Sequence, residues 1–188
     1  QHAVVLGERH VELAHAAGLP PGVLQVIPGP GGAIGEALIT HPHIRKVSLT
    51  GSTEVGRRAM ELASRDFKRV SLELGGKSPN IVFADADWQV AADASPMSVF
   101  ANTGQDCCAR SRMFIERSIY EKFVERFVAA TKKLVVGDPT KPETQLGPLV
   151  SANQRATVEE FLADARKRGN KFACGGGRPH PKGFYLEP

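Results

Sequence analysis

The chain has 188 residues, 41% hydrophobic and 23% charged, enough apolar material for one substantial core or two small ones in a globular protein. Its formal net charge of +4 is carried by short basic pairs interleaved with acids, and aromatics are only 6%, so the basic stripe and stacking aromatics of a nucleic-acid binder are missing. No window approaches the roughly 18 uncharged apolar residues of a membrane span, and residues 1–10 carry no signal-peptide pattern.

In chain order, Glu8–Ala17 has helical spacing of apolar positions and ends at Gly18, a plausible C-cap. A turn at Leu19–Gly22 leads to a predicted strand, Val23–Ile27, a glycine–proline loop and a short helix over Ala33–Thr40. Lys46–Thr50 reads as a strand, Gly51-Ser52 as a tight turn, Thr53–Ser64 as a helix and Arg69–Glu73 as a strand. Strand, turn and helix in this alternation imply βαβ crossovers and a parallel sheet. Asn80–Phe83 is a further strand, and Ala84–Asp87 caps a helix towards Asn102 that Pro96 should kink or split. After a turn at Gly104–Ala109 come a strand (Arg112–Glu116), a long amphipathic helix (Ser118–Val135), a polar loop (Gly137–Pro148), a helix (Ser151–Lys167, with Val158, Phe161, Leu162 and Ala165 on one side) and a short strand (Lys171–Cys174).

Three segments carry chemistry. In Gly104-Gln105-Asp106-Cys107-Cys108, a thiol just after a glycine turn and near the start of a helical turn would feel the positive helix end, which favours the thiolate. Cys108 and Cys174 read as structural thiols. The three cysteines, two adjacent, form neither a disulfide framework nor a CxxC metal site, and the default is a reducing, cytoplasmic setting. In Leu72-Glu73-Leu74-Gly75-Gly76-Lys77-Ser78-Pro79, a carboxylate ends an apolar strand. Burial would make it a better base; an ion pair with Lys77 or a capping role is the competing reading. In Thr50-Gly51-Ser52-Thr53-Glu54-Val55-Gly56, a helix start can receive a phosphate or simply carry an N-cap. The glycine-rich Gly29–Gly35 calls for the same caution and could be only a loop. The six histidines do not cluster at ligand spacing, and His41, His43 and His180 read as surface residues. No metal site is expected.

Together these segments resemble the aldehyde dehydrogenase superfamily. Residues 72–79 match that family's glutamate signature at every position, Gly104–Cys107 match its cysteine signature, and Cys107 comes 34 residues after Glu73, the family separation. The Asp106 that precedes the cysteine is similar to the amino-aldehyde and betaine-aldehyde branch. The resemblance implies an α/β fold of aldehyde-dehydrogenase type, three-layer α/β/α. Residues 1–74 would be the C-terminal part of the NAD(P)-binding domain, the second half of a Rossmann-like unit, and residues 75–188 the N-terminal part of the catalytic domain.

It further implies oxidation of a small-molecule aldehyde to a carboxylic acid with NAD, or NADP. Cys107 is then the nucleophile, passing through a thiohemiacetal and a thioester, and Glu73 the base that activates water. Gly51 and Ser52 approach the cofactor pyrophosphate, Gly31, Gly35, Leu49 and Val55 line the adenine side, and Leu74 and Gly75 lie near the nicotinamide. Leu49 stands where the family commonly has phenylalanine. The chain lacks the family's ribose-contacting lysine and glutamate segment, the upstream oxyanion asparagine, the downstream glutamate motif and the oligomerisation strands. The expectation is therefore an internal piece of an enzyme that is a homo-oligomer in its full-length form, inactive or nearly so by itself. The alternative is a non-catalytic protein that keeps the scaffold as a binding or structural module. A cysteine acyltransferase or protease would need a Cys–His pair, and no histidine here has a motif-level claim to that role.

Overall fold

The computed structural model describes residues 2–188. It divides into two compact units, Gln1–Leu74 and Gly75–Pro188, each built on a pair of parallel strands.

In the first unit, helix α1 (His2–Ala16) ends where Gly18 takes a φ of +94°. The Leu19 N–H then reaches the Ala14 carbonyl and the Gly18 N–H the His15 carbonyl, the glycine-dependent stop expected for Gly18. Helix α2 (Gly31–Thr40) precedes strand β1 (Lys46–Gly51), helix α3 (Thr53–Ser64) and strand β2 (Arg69–Leu74). The parallel pairing sets Lys46 opposite Arg69, Ser48 opposite Ser71 and Thr50 opposite Glu73. Alternation then sorts the two faces: Val47, Leu49, Val70, Leu72 and Leu74 are half-buried, while the polar residues are exposed. Helix α3 packs on both strands and buries Ala59, Leu62 and Ala63. Gly56 lies under Leu74; a Cβ added there would sit 2.8 Å from the Leu74 Cδ2.

The second unit repeats the theme. Strand β3 (Pro79–Val82) pairs in parallel with β4 (Arg112–Ile115) across helix α4 (Trp88–Phe100). Asp87 caps α4 through its Oδ1, which accepts from the Val90 N–H. Helix α5 (Tyr120–Thr131) packs on α4, and α6 (Ala152–Lys167) starts at the Ser151 cap, whose hydroxyl accepts from the Gln154 N–H at 3.1 Å. Val82, Ala92, Ile119 and Phe123 form the core, with Trp88, Met113 and Phe127 around them. Phe123 is 1% exposed and stacks on Phe127 at 6.4 Å between ring centroids. Phe123→Ala should cost about 3–5 kcal/mol. A urea titration checks this as a lowered midpoint at unchanged slope.

Several local expectations are corrected. Val23–Ile27 and Lys171–Cys174 form no strands, since a strand needs a backbone partner and these find none among the described residues; Val23 and Ile27 are exposed. Pro96 does not split α4, which runs on to Phe100 with Pro96 buried inside it. Helix α5 stops at Thr131 because Val135 and Val136 are drawn off to pair with the loop, the Leu146 N–H reaching the Val135 carbonyl and Val136 bridging to Leu146. Phe161 is exposed rather than on the covered side of α6. His180 is half-buried, with Nε2 at 3.0 Å from the Val136 carbonyl and its ring edge-on to Tyr185.

Candidate active site

The turn that carries Cys107 is held in an unusual backbone shape. After α4, Asn102, Thr103 and Gly104 have φ of 50°, 59° and 73° in succession, a left-handed run that disfavours a β-branched residue such as threonine. Side chains hold it there. The Thr103 hydroxyl donates to the Gly147 carbonyl at 2.8 Å, and Asn102 Nδ2 donates to the Gln105 carbonyl at 3.0 Å. Gln105 works in two directions: its Nε2 donates to the Asn102 carbonyl, and its Oε1 accepts from the Val150 N–H at 2.9 Å. Both ends of the strained turn are thereby tied to the Gly147–Val150 loop.

The chain then makes a tight turn, closed by the Ala109 N–H on the Asp106 carbonyl at 3.2 Å. Cys107 and Cys108 sit at its tip, both exposed. The Cys107 N–H has no protein acceptor among the described residues, so it stands free to meet an oxyanion. A cleft of about 420 Å³ beside the turn is lined by Thr103, Gly104, Asp106, Leu149, Leu162 and Leu186, but not by Cys107.

Two expectations about the thiols change. No helix begins at Cys107, so no helix end favours its thiolate. Its pKa is instead pushed above the ordinary cysteine value, first by the hydrogen bond and charge of Cys108, then by burial and by Asp106. Cys108 is no buried structural thiol: its Sγ lies 3.6 Å from that of Cys107. Removing the largest cause should lower the Cys107 pKa. Cys108→Ala is accordingly expected to speed alkylation of Cys107 by iodoacetamide near neutral pH, with the rate–pH curve displaced to lower pH. An unchanged curve would mean that Cys108 does not govern the Cys107 proton.

Glu73 is the penultimate residue of β2, on the polar face opposite Thr50 and exposed. The expected burial is therefore absent. Strand alternation makes the reason plain: Leu72 and Leu74 turn towards α3, which leaves Glu73 on the opposite side.

Apart from Gly75, the first residue of the second unit, the positions expected to meet a dinucleotide lie in the first unit. Ser52 caps α3, its hydroxyl accepting from the Val55 N–H at 3.3 Å. Ser52 and Val55 are exposed, Leu49 is half-buried, and the Val55 Cγ1 comes within 3.8 Å of the position a Gly51 Cβ would take. At Gly31, Gly35 and Gly75 an added Cβ would meet nothing within 4 Å, so the backbone there is open to close approach. Glu54 is the opposing charge in the first turn of α3; its carboxyl is held below the ordinary value by its own backbone N–H and by the Ser52 hydroxyl. An exposed start to a 12-residue helix, with the Ser52 hydroxyl at its cap, fits an anionic dinucleotide. Gly56 closes the Thr50–Gly56 segment, but its packing role, in which the missing Cβ lets Leu74 settle on α3, was not read from the sequence; the small residue in a helix that comes after a glycine turn was the available signal.

A family model described as "Aldehyde dehydrogenase family" matches residues 1–188. The chain belongs to the aldehyde dehydrogenase family. Rat "Aldehyde dehydrogenase, cytosolic 1" is 48% identical over 177 residues, covering 94% of this chain and 35% of the relative. Among solved structures, the aldehyde dehydrogenase KauB from Pseudomonas aeruginosa superposes with a TM-score of 0.93 at 41% identity, covering 97% of this chain and 38% of that one. A mutant of an aldehyde dehydrogenase from Pseudomonas syringae, solved with NAD+ and octanal, gives 0.89 at 39% identity, covering 94% and 37%. The fold is thus the α/β fold of aldehyde dehydrogenases, and the chain spans little more than a third of the relatives it matches. No helix among the described residues is long and apolar enough to cross a membrane.

Proposed function

We propose that this aldehyde dehydrogenase segment supplies the nucleophile and the base for oxidation of a small aldehyde to its acid. Cys107 attacks the carbonyl carbon as its thiolate, forming a thiohemiacetal. The oxyanion is received by the Cys107 backbone N–H, the donor that the turn leaves without a protein acceptor among the described residues. NAD+, or NADP+, supplies the hydride acceptor when bound. Glu73 then takes a proton from water, which attacks the thioester, releases the acid and restores the thiol.

In this reading residues 1–74 form part of the cofactor-binding domain and residues 75–188 part of the catalytic domain. Gly51 and Ser52 would hold the pyrophosphate, Gly31, Gly35, Leu49 and Val55 the adenine side, and Leu74 and Gly75 the nicotinamide end. The full-length enzyme is read as a cytoplasmic homo-oligomer, a setting in keeping with three free cysteines. The observation that carries the proposal is the turn itself: strained, tied down at both ends, and presenting an exposed thiol beside a free backbone donor.

Purified chain mixed with aldehyde and NAD tests the reading together with a full-length enzyme that contains the segment. The full-length enzyme should form one NADH per acid. The chain alone should be slower by at least roughly 100-fold, the typical cost of one lost oxyanion donor. Equal turnover by the two would refute the division of labour proposed here.

A further inference from the structure

The geometry points to a soft-cation site at the tip of the same turn, in which the Cys107 and Cys108 sulfurs and the Asp106 carboxylate hold one divalent ion of the zinc or cadmium type. The ligand atoms of these three residues all lie within 4.8 Å of one another. Two thiolates on a tetrahedral ion with bonds of about 2.3 Å stand about 3.8 Å apart, and the two sulfurs here are 3.6 Å apart. A small adjustment would admit the ion between them.

Asp106 is already oriented for a part in this. One carboxylate oxygen, Oδ1, accepts the Cys108 N–H at 3.1 Å, which fixes the side chain against the turn. A carboxylate oxygen as third donor beside two thiolates is ordinary zinc chemistry, and the exposed tip leaves the fourth corner to water. Binding exchanges two S–H bonds for two metal–sulfur bonds and releases two protons to solvent. Adjacent cysteines are therefore more than a spare pair: the second one turns the nucleophile into half of a chelate.

The binding does not depend on the proposed function; its consequence does. If Cys107 is the nucleophile, a bound ion occupies the sulfur lone pair and stops the reaction until a chelator removes it.

The test is a titration of the reduced chain with Cd2+, monitored by the ultraviolet thiolate-to-metal absorption. One ion per chain with the intensity of two thiolates is expected. Cys108→Ser should lose about half the intensity and weaken binding by roughly tenfold or more, and Asp106→Asn should weaken it several-fold with both thiolates retained. Cys174→Ser should leave the titration unchanged. Wild-type affinity in both Cys107→Ser and Cys108→Ser, or loss of binding only in Cys174→Ser, would overturn the site; all three cysteines are at least partly accessible, so none of these variants empties the core. Chelator-reversible inhibition of the full-length enzyme by Zn2+ is the separate arm. Two-thiolate binding without inhibition would keep the site and reject Cys107 as nucleophile.

Discussion

In a full-length enzyme that contains this segment, Cys107→Ala should abolish aldehyde oxidation, with kcat down by roughly 10⁴-fold or more, the scale seen when a covalent nucleophile is removed. Cys108→Ala should stay within a few-fold of wild type. The two thiols are neighbours, both exposed and 3.6 Å apart, so accessibility does not separate them. Backbone position does. The Cys108 N–H is spent on Asp106, whereas the Cys107 N–H is free among the described residues; an oxyanion formed on Cys107 finds a donor in the same residue. Stopped assays of both variants, with folding checked by circular dichroism, read the difference. Equal losses would move the nucleophile or make the pair act as a unit.

Glu73→Gln should separate the two halves of the reaction. If the carboxylate serves as base for thioester hydrolysis, its loss slows steady-state turnover by roughly 10²- to 10⁴-fold while the first NADH still forms, as a burst close to one per active site. Glu73 suits a base that works on water: it is exposed on the polar face of β2, flanked across the strand by Thr50 rather than by a cation. Glutamine keeps the shape and removes the proton acceptor. A missing burst would give Glu73 an earlier role, in drawing the proton from Cys107, whose raised pKa leaves little thiolate at neutral pH.

Much of the scaffold was legible because it rests on local rules. The span Thr53–Ser64 comes from the Ser52 cap and helical spacing, and Lys46–Gly51 and Arg69–Leu74 from alternation. Strands Val23–Ile27 and Lys171–Cys174 failed because strand formation depends on a partner that no local pattern reveals. The left-handed backbone at Thr103 was invisible for a related reason. Nothing in a threonine suggests it; the hydroxyl bond to Gly147, 44 residues away, supports it. Phe67, at φ 52° and almost wholly exposed, is a second such position: it lets the Lys68 N–H close the end of α3 on the Ala63 carbonyl.

The site was legible as motifs and illegible as electrostatics. Glu73 and Cys107 stand out by residue type and spacing, but their surroundings are set by folding. The strand pleat turns Glu73 to the exposed face. The Cys107 thiol is governed by Cys108 and Asp106, not by a helix end. A motif names the reacting group; the folded chain decides how readily it gives up its proton.

A peptide map of the full-length Glu73→Gln enzyme, acid-quenched moments after mixing with aldehyde and NAD, locates the covalent intermediate itself. A single acyl group in thioester linkage to Cys107 is expected. An acyl group on Cys108 or Cys174, or none on any cysteine while NADH has formed, would be incompatible with Cys107 as the nucleophile.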